Sequence, residues 1–152
     1  FGQVTAEDLK AVEKMVNDQI WKEIPVTTVE TDIDSAKEMG AIALFSDKYG
    51  DKVRVVKIGD YNTEFCGGDH VKNTNELGLF KIVSEGGVGA GVRRIEAVTS
   101  SDAFNFLQDR DDLLNKVATD LKVAQIKEVP HQVEALQSDL KEAQKQSAAL
   151  QA

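Results

Sequence analysis

All 11 glycines of this 152-residue chain lie at or before Gly91. Glycine marks the points where a backbone turns through conformations closed to other residues. Its distribution therefore divides the chain. Residues 1–99 read as short elements joined by turns, and residues 100–152 read as helix with one interruption. The expected class is α+β: an antiparallel sheet with packed helices, followed by a long antiparallel helical hairpin of coiled-coil type.

Within the first part, Thr5 is a good helix cap, and Glu7-Asp8 put negative charge in the first turn, where the helix dipole favours it. Leu9, Val12, Val16 and Ile20, with Met15 alongside, give the helix an apolar face. Pro25 ends it. Val26–Glu30 is β-branched and predicts a strand, after which Asp32 or Asp34 caps a short helix stopped by Gly40. An apolar patch at Ala41–Phe45 and turn chemistry at Ser46–Asp51 come next. Val53–Ile58 and Tyr61–Phe65 predict two strands joined by a Gly59-Asp60 turn. Val71–Leu77 predicts a turn or short helix. Leu79–Ser84 and Gly91–Thr99 predict two more strands, with Glu85–Gly91 as a glycine-rich connection.

In the second part, Asp102 is placed to cap a long helix. Ala103, Leu107, Arg110, Leu114, Val117 and Leu121 alternate spacings of four and three, and so do Val133, Leu136, Leu140, Ala143, Ser147 and Leu150. Lys127-Glu128-Val129-Pro130 separates the two stripes, which predicts two helices packed face to face.

Net charge is −8 without a long basic run, which argues against non-specific binding to DNA. No apolar run is long enough to span a membrane, and no signal peptide is evident. A single cysteine excludes an internal disulfide and suits a reducing, cytoplasmic setting. The chain opens on Phe1 rather than Met and is read as a piece of a larger protein.

That cysteine, Cys66, stands four residues before His70, one of two histidines, across Gly67-Gly68-Asp69. Three readings are open for it. A thiolate and an imidazole are good zinc ligands, but a catalytic site needs three protein ligands and a structural one four. A Cys-His nucleophilic pair needs an orienting third group, for which only Asp69 is at hand. A lone cysteine also packs readily as a small buried hydrophobe. His131 lies far away in the helical part. Arg93, Arg94, Lys72 and Lys81 are candidates for a local basic patch that touches a phosphate backbone. Of the two consecutive arginines, one is expected to face solvent or a phosphate and the other to pair with a carboxylate. The run from Ser84 to Gly91 lacks the Lys-Ser/Thr of a phosphate-binding loop, so it is read as a hairpin loop. Trp21 is read as a packing residue.

Cys66-Gly67-Gly68-Asp69-His70-Val71, Asn73-Thr74, Gly78–Glu85 and Gly91–Ala97 together resemble the editing domain of bacterial alanyl-tRNA synthetases. The resemblance implies a division into residues 1–99, the later part of that domain, and residues 100–152, the arm leading towards a C-terminal domain. It implies zinc-dependent hydrolysis of tRNA(Ala) mischarged with serine or glycine. The tRNA acceptor end and the rest of the synthetase chain are the implied partners, with the ATP site elsewhere in that chain. By the same resemblance Cys66 and His70 correspond to one of two zinc-ligand pairs. The other, a His-x3-His, has no counterpart here, since no histidine precedes His70. Asp69 stands where the family usually has threonine and is a possible pocket residue. The competing expectation is a non-catalytic adaptor that binds tRNA or protein through residues 101–150.

Overall fold

The computed structural model describes residues 4–42 and 50–151. The expected Ala41–Phe45 patch and Ser46–Asp51 turn fall mostly outside the described residues. The chain forms two compact units, Phe1–Phe104 and Asn105–Ala152.

The first unit begins with α1 (Ala6–Ile20), and Thr5 is its cap. The Asp8 N–H donates to Thr5 Oγ1 and the Thr5 N–H to Asp8 Oδ2, each at 3.1 Å, so two otherwise unpaired donors are satisfied reciprocally. β1 (Val26–Asp32) runs into α2 (Ile33–Glu38), where Asp32, one of the two expected caps, accepts the Ser35 N–H at 2.8 Å. β2 (Lys52–Ile58) and β3 (Asn62–Phe65) complete a three-stranded antiparallel sheet in the order β1-β2-β3. The three-residue connection at 59–61, one residue longer than the expected Gly59-Asp60 turn, is closed by the Tyr61 N–H on Ile58 O.

β2 is the centre of this sheet. Val53 and Val55 join Ala36 and Phe65 in the core, with Ile33 and Ala41 packed around them, and Val56 is buried on the opposite face. The β-branched run suits a strand enclosed on both sides.

β4 (Phe80–Gly89) and β5 (Val92–Thr99) form a separate two-stranded sheet, so the described strands make two antiparallel sheets where one was expected. The expected loop at 85–91 is mostly strand. Glu85, Gly86, Gly87 and Gly89 pair with Ile95, Arg94, Arg93 and Val92, and only Ala90-Gly91 turns, with Gly91 at φ 70°. Register shifts at Ile82/Ser84 and Gly87/Gly89 give a strand that bulges twice and still pairs, the second time among its glycines.

α1 holds β4 through polar groups that the apolar stripe did not reveal. The buried Asn17 side chain accepts the Phe80 N–H at 2.8 Å and donates to Phe80 O at 2.8 Å and Glu13 O at 2.9 Å. One turn earlier, Glu13 accepts the Ile82 N–H at 2.8 Å and pairs with Lys81 Nζ at 2.6 Å. The side chains of Val12 and Met15, expected on the packed face, are exposed. The helix is rotated to present Glu13, Val16, Asn17 and Ile20 inward, because the edge of β4 offers unpaired main-chain groups that only polar side chains satisfy.

Burial pushes the Glu13 carboxyl up, but the hydrogen bonds from Lys81 and Ile82 and the Lys81 charge outweigh it and hold it below the usual carboxylate range. A depressed folded value means that this carboxylate contributes stability above its unfolded pKa. The contribution is lost as the pH falls through the folded value. Glu13→Gln is therefore expected to be less stable than the parent at neutral pH and to converge with it in acid. Urea midpoints measured from pH 7 down to pH 3 test this.

α3 (Ser100–Asp120) begins two residues before Asp102, which lies in its first turn rather than capping it. Ser100 itself takes a left-handed conformation, φ 53°, with its N–H on Leu79 O. The second unit continues α3 through a connection containing a 3-10 turn, Ile126–Glu128, into α4 (Val129–Gln151), with Pro130 in the first turn of α4, where a missing N–H costs nothing. Burial in this unit gathers at the turn end: Ala118 is buried, and Val117, Leu121, Val123, Ile126, Val129 and Ala135 are half-buried. Leu107, Leu114, Leu136, Leu140 and Leu150 of the expected seams are exposed. Arg110, at a seam position, lies over the Phe106 ring at 4.3 Å. No helix among the described residues is long and apolar enough to cross a membrane.

Candidate functional site

Cys66 follows the last residue of β3, and its N–H donates to Arg54 O at 3.1 Å, extending the β2–β3 pairing by one step. The thiol is half-buried, so neither full burial nor full exposure describes it. Gly67 and Gly68 then turn the chain, and Asp69 and His70 are exposed.

Both candidate ligands approach Gly68. A Cβ built on that residue would lie 3.8 Å from Cys66 Sγ and 4.0 Å from His70 Cε1. Both side chains thus border the same small space, which stays open because residue 68 has no side chain. Gly68 O receives His70 Nδ1 at 2.9 Å and also the Arg54 guanidinium. A carbonyl only accepts, so this contact has His70 Nδ1 as the donor, and in the neutral ring Nε2 is then the nitrogen with the lone pair. That is the arrangement by which a main-chain carbonyl prepares a histidine for a metal.

A thiolate and an imidazole are donor types that zinc accepts, so Cys66 and His70 are candidates for part of a donor set. Among the described residues no group of three or more His, Cys, Asp or Glu side chains is placed to hold an ion. His131 belongs to the second unit, on α4.

The segment after His70 is anchored to the end of α1. The Asn73 side chain donates to Glu23 O at 3.0 Å, and its N–H reaches Glu76 Oε1 at 2.9 Å. The buried Thr74 hydroxyl donates towards Gln19 O and Ile20 O, at 3.0 and 3.2 Å, and accepts the Ile24 N–H at 2.9 Å. Asn73-Thr74 is thus a structural clamp for the chain that leaves the site. Trp21, expected to pack, is 61% exposed, with its indole N–H on Gly78 O at 3.1 Å. The amphipathic ring satisfies its one polar atom locally and leaves most of its surface open.

The four basic candidates fall into two kinds. Arg93 grips Glu85 through Nε and Nη2, and the Glu85 side chain is almost buried. These hydrogen bonds raise the guanidinium pKa and lower that of the carboxyl. Lys81 is committed to Glu13. Arg94 is largely exposed beside Glu96, and Lys72 is exposed, so these two are the ones open to a large anionic partner. Sequence reasoning expected one of the two arginines to pair; Arg93 does so in the less exposed pair, and Arg94 also pairs, at 3.4 Å with Glu96, while staying largely exposed. That reasoning missed Arg54, whose only signal was a charged residue inside a valine run.

Residues 53–96 match the model of the threonyl and alanyl tRNA synthetase second additional domain. The chain is 65% identical over 99% of its length to the alanine–tRNA ligase of Ligilactobacillus salivarius and 68% identical over 93% to that of Pediococcus pentosaceus. The alanine–tRNA ligase of Latilactobacillus sakei is 60% identical over the whole chain. The chain spans only 16–17% of the length of these relatives. With β2, the Cys66–His70 turn and nearly all of the β4–β5 hairpin inside the matched stretch, the chain belongs to the alanyl-tRNA synthetase family as a segment containing this domain.

Proposed function

We propose that the chain serves post-transfer editing: hydrolysis of the ester that joins a wrongly attached serine or glycine to the terminal ribose of tRNA(Ala). The observation that carries this reading is that Cys66 and His70 both border the space at Gly68, with His70 Nδ1 turned to the Gly68 carbonyl. Cys66 and His70 would hold zinc, and a bound zinc polarises an ester carbonyl or lowers the pKa of a water. Asp69, exposed beside His70, is a candidate pocket residue, and the exposed Lys72 and Arg94 are candidates for the acceptor-end phosphates. The partners on this reading are tRNA(Ala) and the remainder of a cytoplasmic synthetase, which would also carry aminoacylation and ATP binding. The remaining metal donors would come from elsewhere in that synthetase.

Two consequences follow for experiment. This 152-residue chain alone is expected to bind zinc weakly and to deacylate Ser-tRNA(Ala) slowly. Adding the preceding segment of a close relative, with its remaining ligands, is expected to raise both, and Cys66→Ala to remove the gain. Fast hydrolysis by this chain alone, abolished by Cys66→Ala, would overturn the need for outside ligands. Hydrolysis indifferent to Cys66→Ala would overturn the metal reading itself. Gly68→Ala is sterically tolerable, since its contacts would be at van der Waals distance, but the methyl fills the space between the ligands. It is expected to leave the urea midpoint nearly unchanged while weakening Co(II) binding tenfold or more, the scale of other near-ligand substitutions.

One observation favours the second reading, an adaptor that docks through its helices: Leu107, Leu113, Leu114, Leu136 and Leu140 are exposed. On that reading, truncation after Thr99 abolishes partner binding while Cys66→Ala and His70→Ala leave it intact.

A further inference from the structure

We infer that Arg54 is a positioning residue for the Cys66–His70 turn, setting the tautomer of His70 by holding the carbonyl of Gly68. The inference deepens the metal-ligand reading of that turn and rests on it for its consequence, though not for its geometry.

Arg54 lies on β2 between the buried Val53 and Val55, on the most enclosed strand of the sheet. It touches the turn at both ends. Its main-chain carbonyl accepts the Cys66 N–H, and its guanidinium donates to Gly68 O, the same oxygen that accepts the His70 Nδ1–H. A carbonyl oxygen has two lone pairs, so both donors are accommodated. The Gly67-Gly68 pair has no side chain with which to fix the orientation of its own peptides, and unrestrained glycine explores a wide range of backbone conformations. The guanidinium supplies the missing restraint. With the carbonyl held, the imidazole binds it through Nδ1–H, and Nε2 is the nitrogen left to a metal. Without it, the carbonyl is free to rotate away, and the ring relaxes towards the Nε2–H form that a free histidine favours. That form blocks the donor atom. The arrangement parallels the outer partners that orient metal-bound histidines, except that here the oriented group is a carbonyl and the arginine acts one step further out.

The test is the nitrogen NMR signature of the neutral His70 ring in the metal-free chain, with the exposed His131 as internal control. The parent is expected to show Nδ1–H at His70. Arg54→Met, which removes every donor at similar length, is expected to shift His70 to the Nε2–H form while His131 does not change. Arg54→Lys, which restores one cationic donor, is expected to recover much of the parent signature. The Cys66 N–H bond to the residue 54 carbonyl is available in every variant, so an unchanged amide shift at Cys66 shows that the strand pairing is intact. Co(II) affinity, followed through the thiolate charge-transfer band, is expected to fall about 10–100-fold in Arg54→Met. An unchanged His70 tautomer in an Arg54→Met chain with native strand pairing overturns the inference. So does Nε2–H in the parent. If the parent shows the Nδ1–H tautomer, lost in Arg54→Met, yet binds no Co(II) through its thiolate even with the preceding segment supplied, the positioning role stands and the metal reading fails.

Discussion

Asn17→Ala is expected to be the most destabilising substitution in the first unit. The Asn17 amide matches both hydrogen-bonding groups of Phe80, accepting from its N–H and donating to its carbonyl. It stands in for a neighbouring strand at the edge of β4. Alanine leaves both groups without partners in a place where the replaced side chain was only 6% exposed. Each orphaned buried group costs about 1–3 kcal/mol. A loss of roughly 3–5 kcal/mol is a large share of the stability of an ordinary domain, about 5–15 kcal/mol. Urea unfolding followed by a probe on β4 measures it. Asn17→Asp separates this account from simple loss of volume. The carboxylate still accepts from the Phe80 N–H, but its second oxygen faces the carbonyls of Phe80 and Glu13. Protonation restores a donor, so the penalty of Asn17→Asp is expected to shrink as the pH falls, whereas that of Asn17→Ala is not. Equal, pH-independent penalties would show that packing, not hydrogen bonding, holds the helix to the strand.

Gly59→Ala is the second large effect. Gly59 turns the chain between β2 and β3 with φ 51°, where an L residue costs about 1–2 kcal/mol. A Cβ there would also lie 2.6 Å from Ile24 Cγ2, an overlap that forces a shift. Crowding of that kind costs about 1–3 kcal/mol, so the two causes together give roughly 2–5 kcal/mol. They can be told apart. Ile24→Ala removes the opposing methyl without changing the turn, so in that background the further cost of Gly59→Ala is expected to fall to the conformational part alone. A double-mutant cycle on thermal or urea stability reads the difference as coupling. The consequence extends to the candidate site, because this turn sets the register of β3, and β3 delivers Cys66.

Local signals were enough to place most of the elements. Thr5 and Asp32 cap their helices because a short side-chain oxygen satisfies a first-turn N–H whatever lies further away. Gly59-Asp60 turns for an equally local reason. The stretch 85–91 differs from the expected loop because glycine frequency reports freedom, and pairing across the hairpin used that freedom for a bulged strand. The helical stripes after residue 100 were legible as helices, since periodicity is a property of one segment. How far they close on each other is not: Ala103 is buried at the start of the first stripe, and within residues 105–152 burial gathers around Ala118 and the turn.

The candidate site divides in the same way. From the sequence came the residue types and spacing at Cys66 and His70, and through the resemblance a chemistry for them. A spacing of four does not say whether two side chains face one space, which nitrogen of the ring is free, or what fixes the turn between them. Those answers depend on Arg54, 14 residues away on a neighbouring strand, and on the carbonyl of Gly68. The chain by itself determined most of its turns, its caps, its helical stripes and the candidate donor types, because each arises from a few adjacent residues and the conformations open to them. Only the tertiary structure decided that polar Asn17 and Glu13 would face inward, that Arg93 and Lys81 would be spent on ion pairs, and that Arg54 would hold the turn. Unpaired main-chain and charged groups find their partners through the fold, across distances that no local pattern encodes.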